Sequence, residues 1–364
     1  MVGAAMCAIH HTHFRQRTGM ANGVAMQCTY LARPLTPEYN RTPPTLHRNT
    51  MSIKTAAGFI FALMAMASAL AAPRESDIAL DSGGTIRGTL TLAEGAARSP
   101  VVLLIAGSGP TDRNGNGPGM TNNSLQGLAH ALAAAGIASV RYDKRGIGGS
   151  ALAGAREADL RFDRYVDDAS AWVALLRKDA RFTKTVIVGH SEGALVGLLA
   201  TNAGRADGFV SLAGAGERAP VILRRQLAGK LPPGLAKESD RILTALEQGQ
   251  LASKVPPELV SLYRPSVQPY LISWFKYDPA AEFAKLRVAA AVMQGGTDLQ
   301  VSVDDARKLH QARPGSTLVI VPGMNHVLKT AEGDVQAQMK SYTTADFPVS
   351  AELVVALVKF IQTP

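Results

Sequence analysis

From residue 76 onward, short apolar stretches alternate with longer ones whose apolar positions recur at helical spacing. Pro100-Val-Val-Leu-Leu-Ile-Ala106 is an unbroken apolar run. That pattern fits a strand buried on both faces, whereas the alternation from Ile86 to Leu92 fits an early, half-buried one. Ser124 to Ala135 has helical spacing and stops at Gly136. Ile137 to Tyr142 reads as a strand running into a glycine-rich loop, Asp143-Lys-Arg-Gly-Ile-Gly-Gly-Ser150. Phe162, Val166, Ala169, Val173 and Leu176 mark one face of a long helix. A strand at Thr185–Val188 passes almost directly into a helix beginning at Ala194. Further strands are expected at Phe209–Leu212, Val288–Met293 and Thr317–Val321, and helices at Val303–Gln311 and Ala351–Ile361. Strands that alternate with helices imply an α/β architecture: a mostly parallel sheet with helices on both faces.

Residues 217–286 break this rhythm. They carry helix-like pieces such as Ser239–Leu246, the turn Lys230-Leu-Pro-Pro-Gly234 and the pair Pro256-Pro257, and no convincing strand. The segment reads as a helical insertion between two strands. Because it follows the strand after Ser191, a lid over a site is the expectation.

Residues before 72 have a different character. Met51-Ser-Ile-Lys54 precedes a short apolar run ending Ala-Ser-Ala-Leu-Ala-Ala72. A charged start, an apolar centre and small residues at the end make residues 51–71 a signal peptide, with Ala69-Leu70-Ala71 as its cleavage site. The run is shorter than the roughly 20 residues a membrane-spanning helix needs, so no stable anchor is expected after cleavage. Residues 1–50 show no periodicity and are expected to be a mis-called extension, with translation starting at Met51 and the product periplasmic or secreted. Both cysteines, Cys7 and Cys28, lie in that extension. The mature domain, residues 76–364, then needs no disulfide and tolerates an oxidising compartment.

Charge adds one exclusion. The formal net charge is +9, but residues 1–72 hold six Lys/Arg against the single acid Glu38. The remainder is only mildly basic and has no dense Lys/Arg stripe, so nucleic acid is not an expected partner.

The chemistry centres on Gly189-His-Ser-Glu-Gly193. A bare G-x-S-x-G recurs by chance and says little. Placed between a buried strand and a helix, it has the setting of a nucleophile elbow, in which a strained turn leaves the serine hydroxyl exposed at a helix start. Serine needs a base. Of His130, His190, His310 and His326, two fall within helices and His190 adjoins the serine with its side chain expected to turn away from it. His326, in Pro322-Gly-Met-Asn-His326, follows a strand at the edge where open sheets gather site residues. Asp298, in Gln294-Gly-Gly-Thr-Asp298, is the acid expected to orient that base. Asp304 and Asp305 read instead as the start of the next helix. The backbone N–H of Glu192 supplies one oxyanion donor, and the loop Gly107-Ser-Gly-Pro-Thr-Asp-Arg-Asn114 the second. Pro110 has no N–H, which leaves Ser108, or Gly109. Asp112 and Arg113 either hold that loop or contact substrate, and Trp274 and Phe275 either line the pocket or pack the insertion.

Four ordered motifs, Leu104-Ile-Ala-Gly-Ser-Gly-Pro-Thr-Asp-Arg-Asn-Gly115, Arg141-Tyr-Asp-Lys-Arg-Gly-Ile-Gly-Gly-Ser150, Gly189–Gly193 and Pro322–His326, resemble secreted bacterial α/β-hydrolases. These are often grouped with the serine aminopeptidase S33-like domain and include carboxylesterases. Arg287-Val-Ala-Ala290 departs from the pattern, since relatives tend to carry a proline before that strand. The resemblance implies the α/β-hydrolase fold with a Ser191…Asp298…His326 triad acting on a small-molecule ester or acyl substrate. An amidase or aminopeptidase with the same triad, and a binding protein on a hydrolase scaffold, are the rival readings. No metal or cofactor is implied: there is no H-E-x-x-H, and the mature region has no Cys. N-terminal sequencing of the native product is expected to read from Ala72. Residues 1–50 still attached would contradict that.

Overall fold

The alternation along the chain folds into one eight-stranded sheet. The computed structural model describes residues 73–363 apart from residues 96, 154–155, 205 and 332–333. The expected signal segment and the extension before it lie outside the described residues. The strands are β1 (Glu75–Asp81), β2 (Thr85–Thr91), β3 (Ser99–Ile105), β4 (Ala138–Tyr142), β5 (Phe182–His190), β6 (Gly208–Leu212), β7 (Ala289–Gly295) and β8 (Thr317–Val321). Their spatial order is β1-β2-β4-β3-β5-β6-β7-β8. β1 and β2 pair antiparallel, β2 pairs antiparallel with β4, and every later pairing is parallel.

Burial on both faces explains the apolar runs of the central strands. On β3, Val101, Leu103 and Ile105 join one core layer, and Val102 and Leu104 join the other. β5 does the same with Ile187 against Val186 and Val188, and β6 with Phe209 against Val210 and Leu212. One layer is closed by α1 (Ser124–Ala134) and α11 (Ala351–Gln362) through Leu128, Leu132, Leu353 and Leu357. The other is closed by α2 (Phe162–Leu176), α3 (Glu192–Asn202) and α9 (Val303–Ala312) through Trp172, Val173, Val196 and Leu309. Each such large side chain contributes about 1.5–3 kcal/mol when fully buried. α9 begins where the sequence places its acids. Ser302 and Asp305 form a reciprocal capping box that satisfies two free N–H groups of the first turn.

The insertion between β6 and β7 is helical: α4 (Ala219–Leu227), α5 (Pro233–Glu247), α6 (Val260–Tyr263), α7 (Gln268–Phe275) and α8 (Pro279–Ala284). Its apolar residues Leu223, Leu243, Tyr263, Leu271 and Phe283 belong to the same core layer as α2 and α3, so the insertion is packed on the sheet's helices. Two elements were not expected from the sequence: β1, an exposed edge strand, and α10 (Val335–Tyr342). β5 also runs further than its apolar stretch, because the ladder to β6 continues to His190↔Leu212. Among the described residues no helix is long and apolar enough to cross a membrane.

The strand order positions the site. From β3 the chain goes outward to β4, then returns to the other side of β3 as β5. The connections leaving β3 and β5 therefore diverge and open a crevice at the carboxyl ends of these strands, where open α/β sheets bind ligands. β3 leads into Gly107–Gly117, and β5 leads into Ser191.

Candidate active site

Ser191 connects β5 to α3 with φ 56° and ψ −120°. A non-glycine residue in that region is strained, and the surroundings must hold it. They do so through Ser191 N–H donating to the Leu212 carbonyl at 2.9 Å and Ala194 N–H donating to the Ser191 carbonyl at 3.0 Å. The two flanking glycines are there for space. A Cβ at Gly189 would overlap the Gly193 carbonyl and Ala194 Cα, and one at Gly193 would overlap the carbonyls of Ile105 and Ala106. Only hydrogen at both positions lets β3, β5 and α3 close around the turn.

The structure brings Ser191, His326 and Asp298 together. The Ser191 hydroxyl lies 3.1 Å from His326 Nε2, and His326 Nδ1 lies 2.8 Å from Asp298 Oδ2. With Nδ1–H donating to the carboxylate, Nε2 is free to accept from the serine. The Asp298 side chain is fully buried and His326 is 5% exposed. Burial pushes the Asp298 carboxyl up. The His326 charge and hydrogen bond, with the N–H groups of Val301 and Gln300, outweigh this and hold it below the usual carboxylate range. Its remaining lone pairs are occupied: Oδ1 accepts from Gln300 N–H at 2.7 Å and Val301 N–H at 3.0 Å, and Oδ2 accepts from Gln294 Nε2 at 3.0 Å. The loops after β7 and β8 are tied by Gly296 N–H to the Val321 carbonyl at 2.9 Å and Thr297 N–H to the Met324 carbonyl at 3.1 Å. Asn325 folds the second loop, accepting from the N–H groups of Val327 and Lys329.

His190 is a member the sequence reading passed over. Its ring turns from the serine toward His326, with ring centroids 4.9 Å apart, and its Nε2–H donates to the His326 carbonyl at 2.8 Å. Burial, followed by the His326 charge, pulls its pKa down to about 3. The ring is thus a neutral prop that fixes the backbone of the residue bearing the base. The other two histidines serve elsewhere: His130 pairs with Glu75, and His310 Nδ1 bonds to Ser316 Oγ.

Gly107 presses against the serine; a Cβ there would sit 3.2 Å from Ser191 Cβ. This close approach puts Ser108 beside Ser191 and Glu192 in the wall of one small cavity, about 60 Å³, together with Ala215 and Ile222. A larger cavity of about 310 Å³ lies beyond, lined by Ser108, Gly109, Tyr165, Leu262, Leu271 and Trp274. Ser108, Glu192, Leu223 and Trp274 border both. Ser108 touches both cavities and Gly109 only the larger. Glu192 opens α3, where an N–H has no carbonyl one turn earlier in the helix to accept it.

Of the two roles the sequence left open to each, Asp112, Arg113 and Phe275 take the structural one. Asp112 accepts from the N–H groups of Asn114 and Asn116 and so folds its own loop. The Arg113 guanidinium is committed to Asp143 and Thr89. Phe275 is 1% exposed, packs in the insertion core and lines neither cavity. Of the four residues so left open, Trp274 alone lines the two cavities; it stacks on Phe162 with centroids 5.8 Å apart.

Sheet order, elbow and the Ser–His–Asp contact define an α/β-hydrolase fold. Comparisons with known proteins agree. Residues 116–272 match the family described as serine aminopeptidase, S33, a segment that holds Ser191 but neither Asp298 nor His326. Esterase EstD of Thermotoga maritima is 26% identical over 263 residues, covering 71% of this chain and 61% of that protein, so the match spans less than two thirds of the relative's length. The α/β hydrolase GrgF from Penicillium sp. superposes with a TM-score of 0.54 at 18% identity, over 79% of this chain and 98% of that one. Est1E from Butyrivibrio proteoclasticus, solved with ferulic acid bound, superposes with a TM-score of 0.52 at 16% identity, over 79% and 100%.

The neutral His190 has a consequence for stability. Above its ordinary pKa the group is uncharged folded or unfolded and contributes nothing. Below it the unfolded chain binds a proton that the folded chain does not, so stability falls by about 1.4 kcal/mol per pH unit until pH nears 3. Between pH 6.5 and 4.5, His190→Asn is expected to lose about 2–3 kcal/mol less folding free energy than the parent in urea titrations. Equal acid sensitivity of the two proteins would contradict the assignment.

Proposed function

We propose that this protein hydrolyses carboxylic esters, with Ser191 as nucleophile, His326 as general base and acid, and Asp298 as the orienting carboxylate. The observation that carries the reading is the pair of contacts at His326, 3.1 Å to the serine hydroxyl and 2.8 Å to a buried carboxylate. In the reaction, Ser191 Oγ attacks the acyl carbon as its proton passes to His326 Nε2. The oxyanion that forms is received by the N–H groups of Glu192 and Ser108. Collapse expels the alcohol, which takes the proton from His326. Water then attacks the acyl-enzyme with His326 again as base, releasing the acid and restoring the serine.

The two cavities support an asymmetric substrate: a short group beside Ser191 in the smaller one, and a bulkier, largely apolar or aromatic group toward Tyr165, Leu271 and Trp274 in the larger. The name of the Thermotoga relative and the ferulic acid bound to Est1E lend the ester reading further support. Against an aminopeptidase stands the state of the acids. A substrate's free amine needs an uncommitted carboxylate, and each glutamate bordering the cavities already faces a base: Glu157 faces Arg264, Glu192 faces Lys144, and Glu217 faces Arg225 and Lys308. Export through residues 51–71 to the periplasm or beyond belongs to the same proposal, and the helical insertion is its lid.

Ser191→Ala is expected to lower kcat on nitrophenyl esters by about 10⁶-fold while the protein keeps its unfolding midpoint. The parent is expected to prefer these esters over aminoacyl anilides. Ester turnover surviving in the variant would contradict the nucleophile, and comparable anilide cleavage by the parent would favour the amidase reading.

A further inference from the structure

The loop after β4, Asp143-Lys-Arg145, takes no part in the reaction as drawn, yet it is dense in buried charge. Asp143 is 3% exposed, Lys144 1% and Arg145 4%. Arg145 is bonded to the buried Asp168 at 2.6 Å, and Asp143 to Arg113 at 2.8 Å. These two pairs hold α2 and the Gly107–Gly117 loop. Lys144 lies between them and does something different. Its ammonium donates to the Gly107 carbonyl and to Glu192 Oε1, the latter at 3.3 Å, and stands 5.3 Å from the Tyr165 ring. Taking an ammonium out of water costs several kcal/mol unless its donors are matched. Here both polar partners belong to the two segments that supply the oxyanion donors.

The geometry has a direct consequence for the Gly107–Ser108 peptide. A trans peptide is planar, so its carbonyl and N–H point in opposite directions. Gly107 is free of the steric limits that would otherwise restrain this unit from rotating. With the Gly107 carbonyl turned onto Lys144, the Ser108 N–H faces the opposite way. An ammonium on the carbonyl also polarises the peptide and strengthens its N–H as a donor. The same ammonium holds the side chain of Glu192, whose backbone N–H is the other donor. We propose that Lys144 is a positioning residue that orients both walls of the oxyanion hole. The inference rests on the ester-hydrolase reading and adds to it a residue that touches no reacting atom.

The bland alternative is that Lys144 only neutralises the buried Glu192 carboxylate. The double variant Lys144→Met/Glu192→Gln separates the two, because it leaves no unpaired charge yet removes the donor to Gly107. The measurements are kcat and KM on a nitrophenyl ester, the inhibition constant of a trifluoromethyl ketone whose tetrahedral adduct carries an oxyanion, and the unfolding midpoint. Loss of a whole oxyanion donor costs about 10²–10³ in rate, and a misaligned one is expected to cost about 10- to 100-fold. The double variant should therefore fold, keep KM within a few-fold, and lose kcat and ketone affinity in parallel by that factor. Lys144→Met alone should be at least as impaired, and if it does not fold the double variant decides. A double variant with parental kcat and ketone affinity would overturn the proposal and leave the alternative. Should the parent itself fail to turn over any ester, the ester-hydrolase reading falls first, and the two failures are told apart.

Discussion

The bond from the Ser191 hydroxyl to His326 Nε2 joins residues 135 positions apart, and most of the structure around it serves to keep that 3.1 Å contact. One partner sits on a strained turn; the other sits on a loop at the far side of three strands. Local bonds shape each turn, but they do not bring the two together. β5, β6, β7 and β8 must run parallel and in register for the two loops to meet at one edge. The opposing costs are visible: a positive φ at a serine, a fully buried carboxylate and a histidine kept neutral by burial. Each is compensated by neighbours. The Leu212 and Ala194 bonds offset the strain, and four hydrogen-bond donors face Asp298. A single donor from His190 fixes the backbone of His326.

Around this contact the crevice is built by the switch in chain direction between β3 and β5. It places a glycine, Gly107, directly against the serine and brings the loop that follows into the cavity wall. The charged residues at the end of β4 and just after it pin that loop from behind. Arg113 and Asn114 are bonded by Asp143 and Arg141, and the Gly107 carbonyl by Lys144. The buried ion pairs are thus concentrated at the carboxyl edge of the sheet, where several loops have to be held in one arrangement. Desolvated pairs there contribute little net stability, but a rigid frame for the loops is what the proposed chemistry requires.

Much of this was legible in the sequence because the physics was local. Both-face burial makes β3 an apolar run unbroken from Pro100 to Ala106, and the Gly-x-Ser-x-Gly turn needs hydrogen at both flanking positions for close packing. Asp298 and His326 follow strands whose apolar runs are clear. Other features were hidden because they depend on tertiary contact. β1 is a largely exposed edge strand that turns only Ile78 and Leu80 to the core, and α10 is a short helix in which half the residues are polar. His190 could not be separated from an ordinary strand residue without knowing that His326 folds onto it. Asp112 and Arg113 read as candidate ligands because a charged residue in a glycine-rich loop looks the same whether it faces a substrate or its own backbone. The Asp143-Lys-Arg145 run was noticed, but the partners that give it meaning, Gly107 and Glu192, lie 37 and 48 positions away from Lys144.

The central claim is that Ser191 is chemically activated by its neighbours. The most direct test treats the purified protein with a fluorophosphonate and maps the adduct by mass spectrometry. The account predicts one stoichiometric adduct on Ser191, with labelling slowed strongly by His326→Ala in a protein that still folds. A parent protein that stays unlabelled, or carries the adduct on another residue, would contradict it.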